Sequence, residues 1–394
     1  MKRPVILMGN GLRNNPDLVT YLCGLGIPIL TTWMAADLLP EYSPVFCGRP
    51  GIYGQRAANV IQQKASLLFC FGARLDEQQV AYRYDRLASN AIKIIHDIDQ
   101  AELDKYNVRG DDWLDLNWDL KQYDLRYLQL ELDATFANSA WLSWCKTLYN
   151  HFRPELEGQD NPDFVDPFTF VSRLSDYAQP DDIIIAGAGK AGEILMQSFK
   201  VKVGQRVQTL STNGAMGYDI PLAIGACLGS TDWLETTTER LNPRKITRDI
   251  GYKRVLCVTG DGGFMLNIQE LEVIRRLHLP IQFFVHSNRG YASIKMMQKI
   301  RFDGHIVGAD PASGFTIPRL AEIADCFGLT YQRIETLNQQ IDFTGQIVEL
   351  MIDQEYVQVP RVATQMVGGA FTQDAMEDLT PKLTVDELRE IMEA

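Results

Sequence analysis

Short apolar runs alternate with amphipathic stretches along the first third of the chain. Residues 4–8, 28–32, 65–71 and 91–95 are apolar runs that lead into polar or glycine-containing turns. Strands that alternate with helices at this spacing are typical of a doubly wound parallel sheet. Residues 1–135 are therefore predicted to form a central α/β domain of the Rossmann-like type.

The same alternation returns in the second half. Apolar runs at 183–186, 255–258 and 281–285 are predicted strands, each followed by a turn rich in glycine or polar residues. A second doubly wound parallel-sheet domain, with a C-terminal tail, is predicted over residues 166–394. Residues 136–165 are predicted to be a linker.

The strongest chemical signal lies in residues 255–291. The first strand there ends in Gly260-Asp261-Gly262-Gly263, and the next ends at Asn288. Because parallel strands bring their carboxyl ends to one edge of a sheet, Asp261 and Asn288 are predicted to lie close together. Their oxygens suit a magnesium ion that clamps a diphosphate, and Gly262 and Gly263 let backbone amides approach the phosphates.

A plain strand-to-helix turn with an N-capping aspartate is the alternative for the Gly-Asp-Gly turn. Such a turn is common in α/β folds and carries little weight alone. The Asn-x-Gly-Tyr segment of residues 288–291, directly after the next strand, favours the metal-diphosphate site.

Composition limits the partner and the compartment. The formal net charge of -12 argues against nucleic acid or an anionic membrane surface as a partner. The seven cysteines include no CxxC pair, which predicts buried thiols in a reducing cytoplasm. No apolar run is long enough to span a bilayer, and the N-terminal residues predict a strand and turn rather than a signal peptide.

Two segments of the second domain carry a family resemblance. The Gly-Asp-Gly turn, Leu279-Pro280-Ile281 and Asn288-Arg289-Gly290-Tyr291 resemble the cofactor motif of thiamine diphosphate (ThDP) enzymes, in their acetolactate synthase-like branch. Residues 211–226 resemble a second family motif. The resemblance implies ThDP and Mg²⁺ as cofactors, with Asp261, Asn288 and the Gly290 carbonyl as metal ligands.

The resemblance also assigns cofactor contacts. It implies that Met216 wedges between the two rings of ThDP and that the Gly214 carbonyl accepts a hydrogen bond from the 4′-amino group. A buried core methionine is the alternative for Met216. The remaining predicted ThDP-binding residues lie in the loops after the strands: Gly187, Gly189, Lys190, Gly260, Gly262, Gly263 and Tyr291.

The first domain resembles the central domain of the same enzymes. In flavin-binding members, segments like Gly72-Ala73-Arg74-Leu75-Asp76 and Asp97-Ile98-Asp99 lie along FAD, which makes Gly72, Arg74 and Asp97 candidate FAD contacts. Several relatives keep this domain without a flavin, and many such glycine turns serve packing alone. The sequence therefore leaves FAD open.

The resemblance further implies a catalytic glutamate on a pyrimidine-binding domain, which precedes the central domain in the family. No such domain is recognised in this sequence, so no catalytic residue is assigned here. The expectation is one subunit of a split enzyme, or a fragment, that forms its active site in a hetero-oligomer with a pyrimidine-domain chain. Gly187 and Arg289 depart from residues common in the family.

The expected function is decarboxylation of a 2-oxo acid such as pyruvate and transfer of the acyl unit to a carbonyl acceptor. A subunit of a simple decarboxylase and a non-catalytic nucleotide-binding subunit are the alternatives. A Rossmann-type dehydrogenase is excluded because neither Gly9-Asn10-Gly11 nor Gly187-Ala188-Gly189 continues into the full GxGxxG fingerprint.

Overall fold

A computed structural model describes residues 3–107, 113–117, 136–156, 161–210, 213–230, 251–367 and 370–393. The chain forms two compact units: Met1–Glu157 together with Val359–Ala394, and Gly158–Gln358. This division differs from the predicted one at both ends of the second domain. Most of the predicted linker belongs to the first unit, and so does the C-terminal tail.

Five parallel strands form the sheet of the first unit within its described residues. The strand order is β2-β1-β3-β4-β5, so the chain crosses over between non-consecutive neighbours as a doubly wound fold requires. Each predicted apolar run lies in this sheet. The strands are β1 (Pro4–Met8), β2 (Ile29–Thr31), β3 (Leu67–Phe71), β4 (Ile92–Asp97) and β5 (Trp113–Asn117).

The helix Ser139–His151 lies inside the predicted linker yet packs into the first unit. Trp141, Cys145 and Tyr149 on this helix are buried in the hydrophobic core of that unit, and the Trp141 indole donates to the Pro4 carbonyl at 3.0 Å. The other described α-helices of the unit are Pro16–Gly24, Arg56–Lys64, Gln100–Asn107 and Val385–Glu393.

A C-terminal strap, residues 374–393, covers the helix Arg56–Lys64, which is buried along its whole length although it is polar. The Arg56 guanidinium donates to the carbonyls of Leu379 and Pro381, at 3.0 and 2.7 Å. The Asn59 amide donates to the Met376 carbonyl at 2.9 Å. Buried polar side chains must find such partners, and here the strap supplies them. An antiparallel hairpin of β12 (Thr364–Val367) and β13 (Ala370–Gln373) precedes the strap.

The second unit also contains a parallel sheet, with the described strands in the order β10-β11-β9-β8-β6-β7. These strands are β6 (Ile183–Ala186), β7 (Arg206–Thr209), β8 (Val255–Gly260), β9 (Ile281–Ser287), β10 (Tyr331–Ile334) and β11 (Ile347–Met351). The helices of eight residues or more are Pro167–Tyr177, Lys190–Ser198, Asp219–Leu228, Ala292–Arg301 and Leu320–Phe327.

Short helical segments follow the turn after β8 in the second unit. The stretch after Asp261 forms a short helix, Asp261–Phe264, a 3₁₀ segment and a second helix, Leu271–Leu277. The chain bends at Asn267, whose side-chain amide donates to the Gly217 carbonyl at 2.6 Å. The segment after Tyr291 begins with the helix Ala292–Arg301. No helix in the described part of the chain is both long and apolar enough to cross a bilayer.

The strap contacts predict a stability effect for Arg56. Replacement of Arg56 by methionine should lower the free energy of unfolding by about 2–4 kcal/mol, because two carbonyls lose a charged donor. Urea denaturation measures the change. Arg389→Met, on the exposed face of the strap helix, is the control and should change stability by less than about 0.5 kcal/mol. Equal effects of the two substitutions would contradict a specific role for Arg56.

Candidate metal and diphosphate site

The carboxyl ends of β8 and β9 bring Asp261 and Asn288 together, as the sequence predicts. Residues Gly260 and His286 are direct neighbours across the two strands. Asp261 begins the short helix after β8, and its Oδ2 accepts hydrogen bonds from the backbone N–H groups of Asn288 at 3.1 Å and Arg289 at 2.7 Å. The Asp261 side chain, in the turn after β8, therefore fixes the backbone of the turn after β9.

The Asp261 carboxyl is buried, with 1% of the residue exposed. Burial raises its pKa to about 7, although backbone amides donate to the charged form. Its Oδ1 accepts from the Gly262 N–H at 2.8 Å. A cation bound beside Asp261 would stabilise the ionised carboxylate that burial disfavours.

Asn288 fits a cation ligand on independent grounds. Its Oδ1 is buried and has no hydrogen-bond partner among the described residues, whereas buried polar atoms nearly always have one. Asp261, Asn288 and Gly290 line the same cavity. Carboxylate, amide and carbonyl oxygens are hard donors of the kind that Mg²⁺ prefers. No group of three or more His, Cys, Asp or Glu in the described residues suggests a different metal centre.

Two helix N-termini line this cavity, which has a volume of about 270 Å³. The helices are Lys190–Ser198, preceded by Gly189, and Ala292–Arg301, preceded by Tyr291. No side chain of a described residue caps either one. Uncapped N–H groups at a helix N-terminus bind anions through their hydrogen bonds and the helix dipole. The cavity thus combines two anion-binding ends with oxygen donors for a cation, as a metal-diphosphate group requires.

Met216 lies at the wall of the cavity and is 40% exposed. This exposure argues against the alternative that Met216 is a core residue. Gly214 lines the cavity as well, in a left-handed conformation with φ +55° and with no heavy atom within 4 Å of the place where a Cβ would lie. The open space in front of Gly214 and the exposed Met216 side chain fit a bound cofactor.

Comparison with known proteins gives two family matches. Residues 187–357 match the family described as the thiamine pyrophosphate enzyme C-terminal TPP binding domain, and residues 1–111 match its central domain. The chain belongs to the thiamine pyrophosphate (thiamine diphosphate) enzyme family. Both parallel sheets agree with this assignment.

The relatives of this family member include acetolactate synthases. A probable acetolactate synthase large subunit of Methanococcus aeolicus is 28% identical over 360 residues, which are 86% of this chain and 55% of the relative. Acetolactate synthase isozyme 1 large subunit of Escherichia coli is 27% identical over 400 residues, with coverages of 93% and 62%. Acetolactate synthase 3, chloroplastic, of Brassica napus is 29% identical over 391 residues, with coverages of 94% and 55%. The chain thus spans 55–62% of the length of these relatives.

Within this thiamine diphosphate family member, most predicted site residues meet at one cavity. Gly189, Lys190, Gly214, Met216, Gly260, Asp261, Gly262, Gly263, Asn288, Gly290 and Tyr291 all line it. Their roles as ligands remain predictions. The Lys190 ammonium donates to the Tyr356 carbonyl at 2.7 Å, so its charge is held at the cavity wall.

Gly187 does not reach the cavity wall. Its backbone N–H donates to the Val258 carbonyl at 2.8 Å, and a Cβ on this residue would lie 3.1 Å from Oδ2 of Asp219. Asp219 is fully buried, and Thr259 Oγ1 donates to its Oδ2. The space for a side chain at Gly187 is thus limited by the Thr259 Cα, the Val258 carbonyl and the Asp219 carboxylate. Asp219 was given no role from the sequence.

Packing constrains Gly262 most strongly among the glycines of the Gly-Asp-Gly-Gly turn. A Cβ on Gly262 would lie 2.4 Å from the Tyr291 ring, and one on Gly263 would lie 3.4 Å from Asp219 Oδ2. Tyr291 itself stacks on Phe315, with ring centroids 4.1 Å apart. Gly262 is therefore required by the ring beside it, a contact that the sequence motif alone does not show.

Gly72, Arg74 and Asp97 meet at the carboxyl edge of the sheet in the first unit. The backbone N–H of Arg74 donates to Asp97 Oδ2 at 3.2 Å. A Cβ on Gly72 would lie 2.7 Å from the Gly11 Cα, and the Gly11 N–H donates to the Gly72 carbonyl at 3.1 Å. Close contact of two turns explains this glycine without a ligand, so the FAD role of all three residues remains a prediction.

Five polar residues of the described cavity wall had no predicted role: Glu193, His286, Ser293, Asp353 and Tyr356. Glu193 lies in the first turn of the helix Lys190–Ser198. His286 could have been identified from the sequence, because it is the one ionisable residue in the strand Ile281–Ser287. Ser293 approaches the cavity from the helix after Tyr291, and that helix was not predicted.

Substitution of Gly290 tests the close approach that shapes the site. A Cβ on Gly290 would lie 2.2 Å from the Ala309 carbonyl oxygen, so Gly290→Ala should lower stability by about 1–3 kcal/mol through a forced backbone shift. Gly260→Ala is the matched control, because no heavy atom lies within 4 Å of its Cβ position. Thermal unfolding without ligand measures both. A destabilised Gly260→Ala with an unaffected Gly290→Ala would contradict the geometry.

Proposed function

We propose that this chain carries the magnesium- and diphosphate-binding part of a ThDP-dependent enzyme of the acetolactate synthase type. The enzyme decarboxylates a 2-oxo acid, pyruvate being the first choice, and transfers the acyl unit to a carbonyl acceptor. The observation that carries the proposal is the cavity in which Asp261 and the unpartnered Oδ1 of Asn288 lie beside two uncapped helix N-termini. The acetolactate synthase relatives support the reaction class.

When bound, ThDP would supply a nucleophilic thiazolium carbon for the substrate carbonyl and a cationic ring that acts as an electron sink. The residues of this chain hold and orient the cofactor. Asp261, Asn288 and the Gly290 carbonyl hold Mg²⁺, while the N–H groups that follow Gly189 and Tyr291 bind the diphosphate. Met216 supports the bent form of the cofactor.

Proton transfer on the aminopyrimidine requires a glutamate from a pyrimidine-binding domain. We infer that this domain is contributed by a separate chain, giving a hetero-oligomer, or by another segment of a longer protein. Glu193 is the glutamate that the described cavity wall contains. It lies on the helix whose N-terminus faces the proposed diphosphate, and we assign the activating role to the pyrimidine domain instead.

Cofactor binding should depend on the Asp261 charge. Asp261→Asn keeps the size of the side chain but removes the charge, so it should weaken Mg²⁺-dependent ThDP binding at least about tenfold, as expected for a lost ionic ligand. Calorimetric titration of the full chain with ThDP and Mg²⁺ measures the affinity. Asp325→Asn, an exposed carboxylate on the helix Leu320–Phe327, is the control. Equal affinities of the two variants would refute the proposed metal site.

Turnover should require the pyrimidine-binding domain. The chain alone, with ThDP and Mg²⁺, should consume no pyruvate, and addition of a pyrimidine-domain partner should produce activity. Pyruvate turnover by the chain alone would refute the proposal that the activating glutamate comes from a pyrimidine-binding domain. Glu193→Gln would then test whether Glu193 activates the cofactor. A yellow colour of the active complex would show that a flavin is bound.

A further inference from the structure

His286 occupies an unusual position in the second unit. It lies near the end of β9, with Gly260 beside it on one side and Leu350 on the other. It is only 3% exposed, yet it lines the same cavity as Asp261 and Asn288. A histidine thus lies on a buried strand at the wall of the proposed cofactor cavity.

The imidazole lacks the partner that a structural histidine would have. Its Nε2 is buried and has no hydrogen-bond partner among the described residues. The ring is packed edge-on against Phe170, with centroids 6.2 Å apart, and Phe284 packs against the same phenylalanine. These neighbours offer neither a donor nor an acceptor. A neutral imidazole carries one N–H that it can donate.

Two polar atoms without a hydrogen-bond partner among the described residues thus lie at the C-terminal end of β9. Nε2 of His286 and Oδ1 of Asn288 are both buried, and both residues line the cavity that the two helix N-termini also reach. One ligand with a cation and acceptor oxygens would satisfy both atoms: the cation takes the Asn288 oxygen, and an anionic oxygen accepts from the imidazole. A metal-bound diphosphate has this composition.

We propose that His286 is a binding residue for the diphosphate of the cofactor, donating its Nε2–H to a phosphate oxygen. The inference rests on the proposed function. It adds a diphosphate contact that lies outside the glycine turns of residues 187–190 and 260–263. The imidazole lies on the buried strand, so its position is fixed by the sheet rather than by a loop. It therefore contributes to the orientation of the diphosphate as well as to its affinity.

The test compares three variants of the full chain in calorimetric titrations with Mg²⁺–ThDP and with Mg²⁺–pyrophosphate. His286→Leu should weaken both ligands by the same factor, about tenfold, the loss of one hydrogen bond to a charged group. His286→Gln can place an amide N–H near the Nε2 position and should restore most of the affinity. His96→Leu removes a buried histidine from a strand end of the first unit and should leave both affinities unchanged.

The outcomes separate this inference from the proposed function. If the unmodified chain binds neither ligand, the proposed function fails and His286 has no such role. If the unmodified chain binds both ligands and His286→Leu binds them equally well, the His286 contact alone is refuted. Loss of binding in both His286→Leu and His286→Gln, with a lowered melting temperature, would show a packing role and would also overturn the inference.

Discussion

The buried carboxylate of Asp261 is the interaction on which the second unit's site depends. It joins the turn after β8 to the turn after β9, because its oxygens accept hydrogen bonds from the backbone N–H groups of Gly262, Asn288 and Arg289. Arg289 adopts a left-handed backbone with φ +60° in this turn, a conformation that costs energy for a residue other than glycine. The hydrogen bonds to a charged acceptor compensate for that cost and hold the Asn288 side chain at the cavity.

A consequence is that the site is built mainly from backbone. The helix N-termini after Gly189 and Tyr291 are the proposed anion-binding groups, and glycines such as Gly262 and Gly290 allow chain segments to approach each other closely. Contact distances show how little room remains, since a single methyl group on Gly290 would overlap the Ala309 carbonyl. In the proposed site, side chains add specificity at four points of the cavity wall: Asp261 and Asn288 as cation ligands, the exposed Met216 and the buried His286.

The first unit has the same class of sheet but uses its glycine turns differently. Gly11 and Gly72 pack against each other after β1 and β3, and their amides bond to carbonyls of the neighbouring turn and strand. A polar helix, Arg56–Lys64, is buried beneath the strap of residues 374–393 and bonds to its carbonyls. These contacts serve packing, and the argument for FAD is the resemblance of the first domain to the central domain of the family.

The sequence by itself determined the two α/β sheets, the meeting of Asp261 with Asn288 and the family, because apolar periodicity and strand-end motifs are local signals. The tertiary structure alone decided the remainder, which depends on contacts between distant residues. It assigned the strap and the helix Ser139–His151 to the first unit, since burial of Trp141 and Arg56 requires partners that local periodicity does not reveal. It also placed the Asp219 carboxylate against Gly187 and left Nε2 of His286 without a hydrogen-bond partner among the described residues. Such close approaches arise from packing, and no spacing along the chain encodes them.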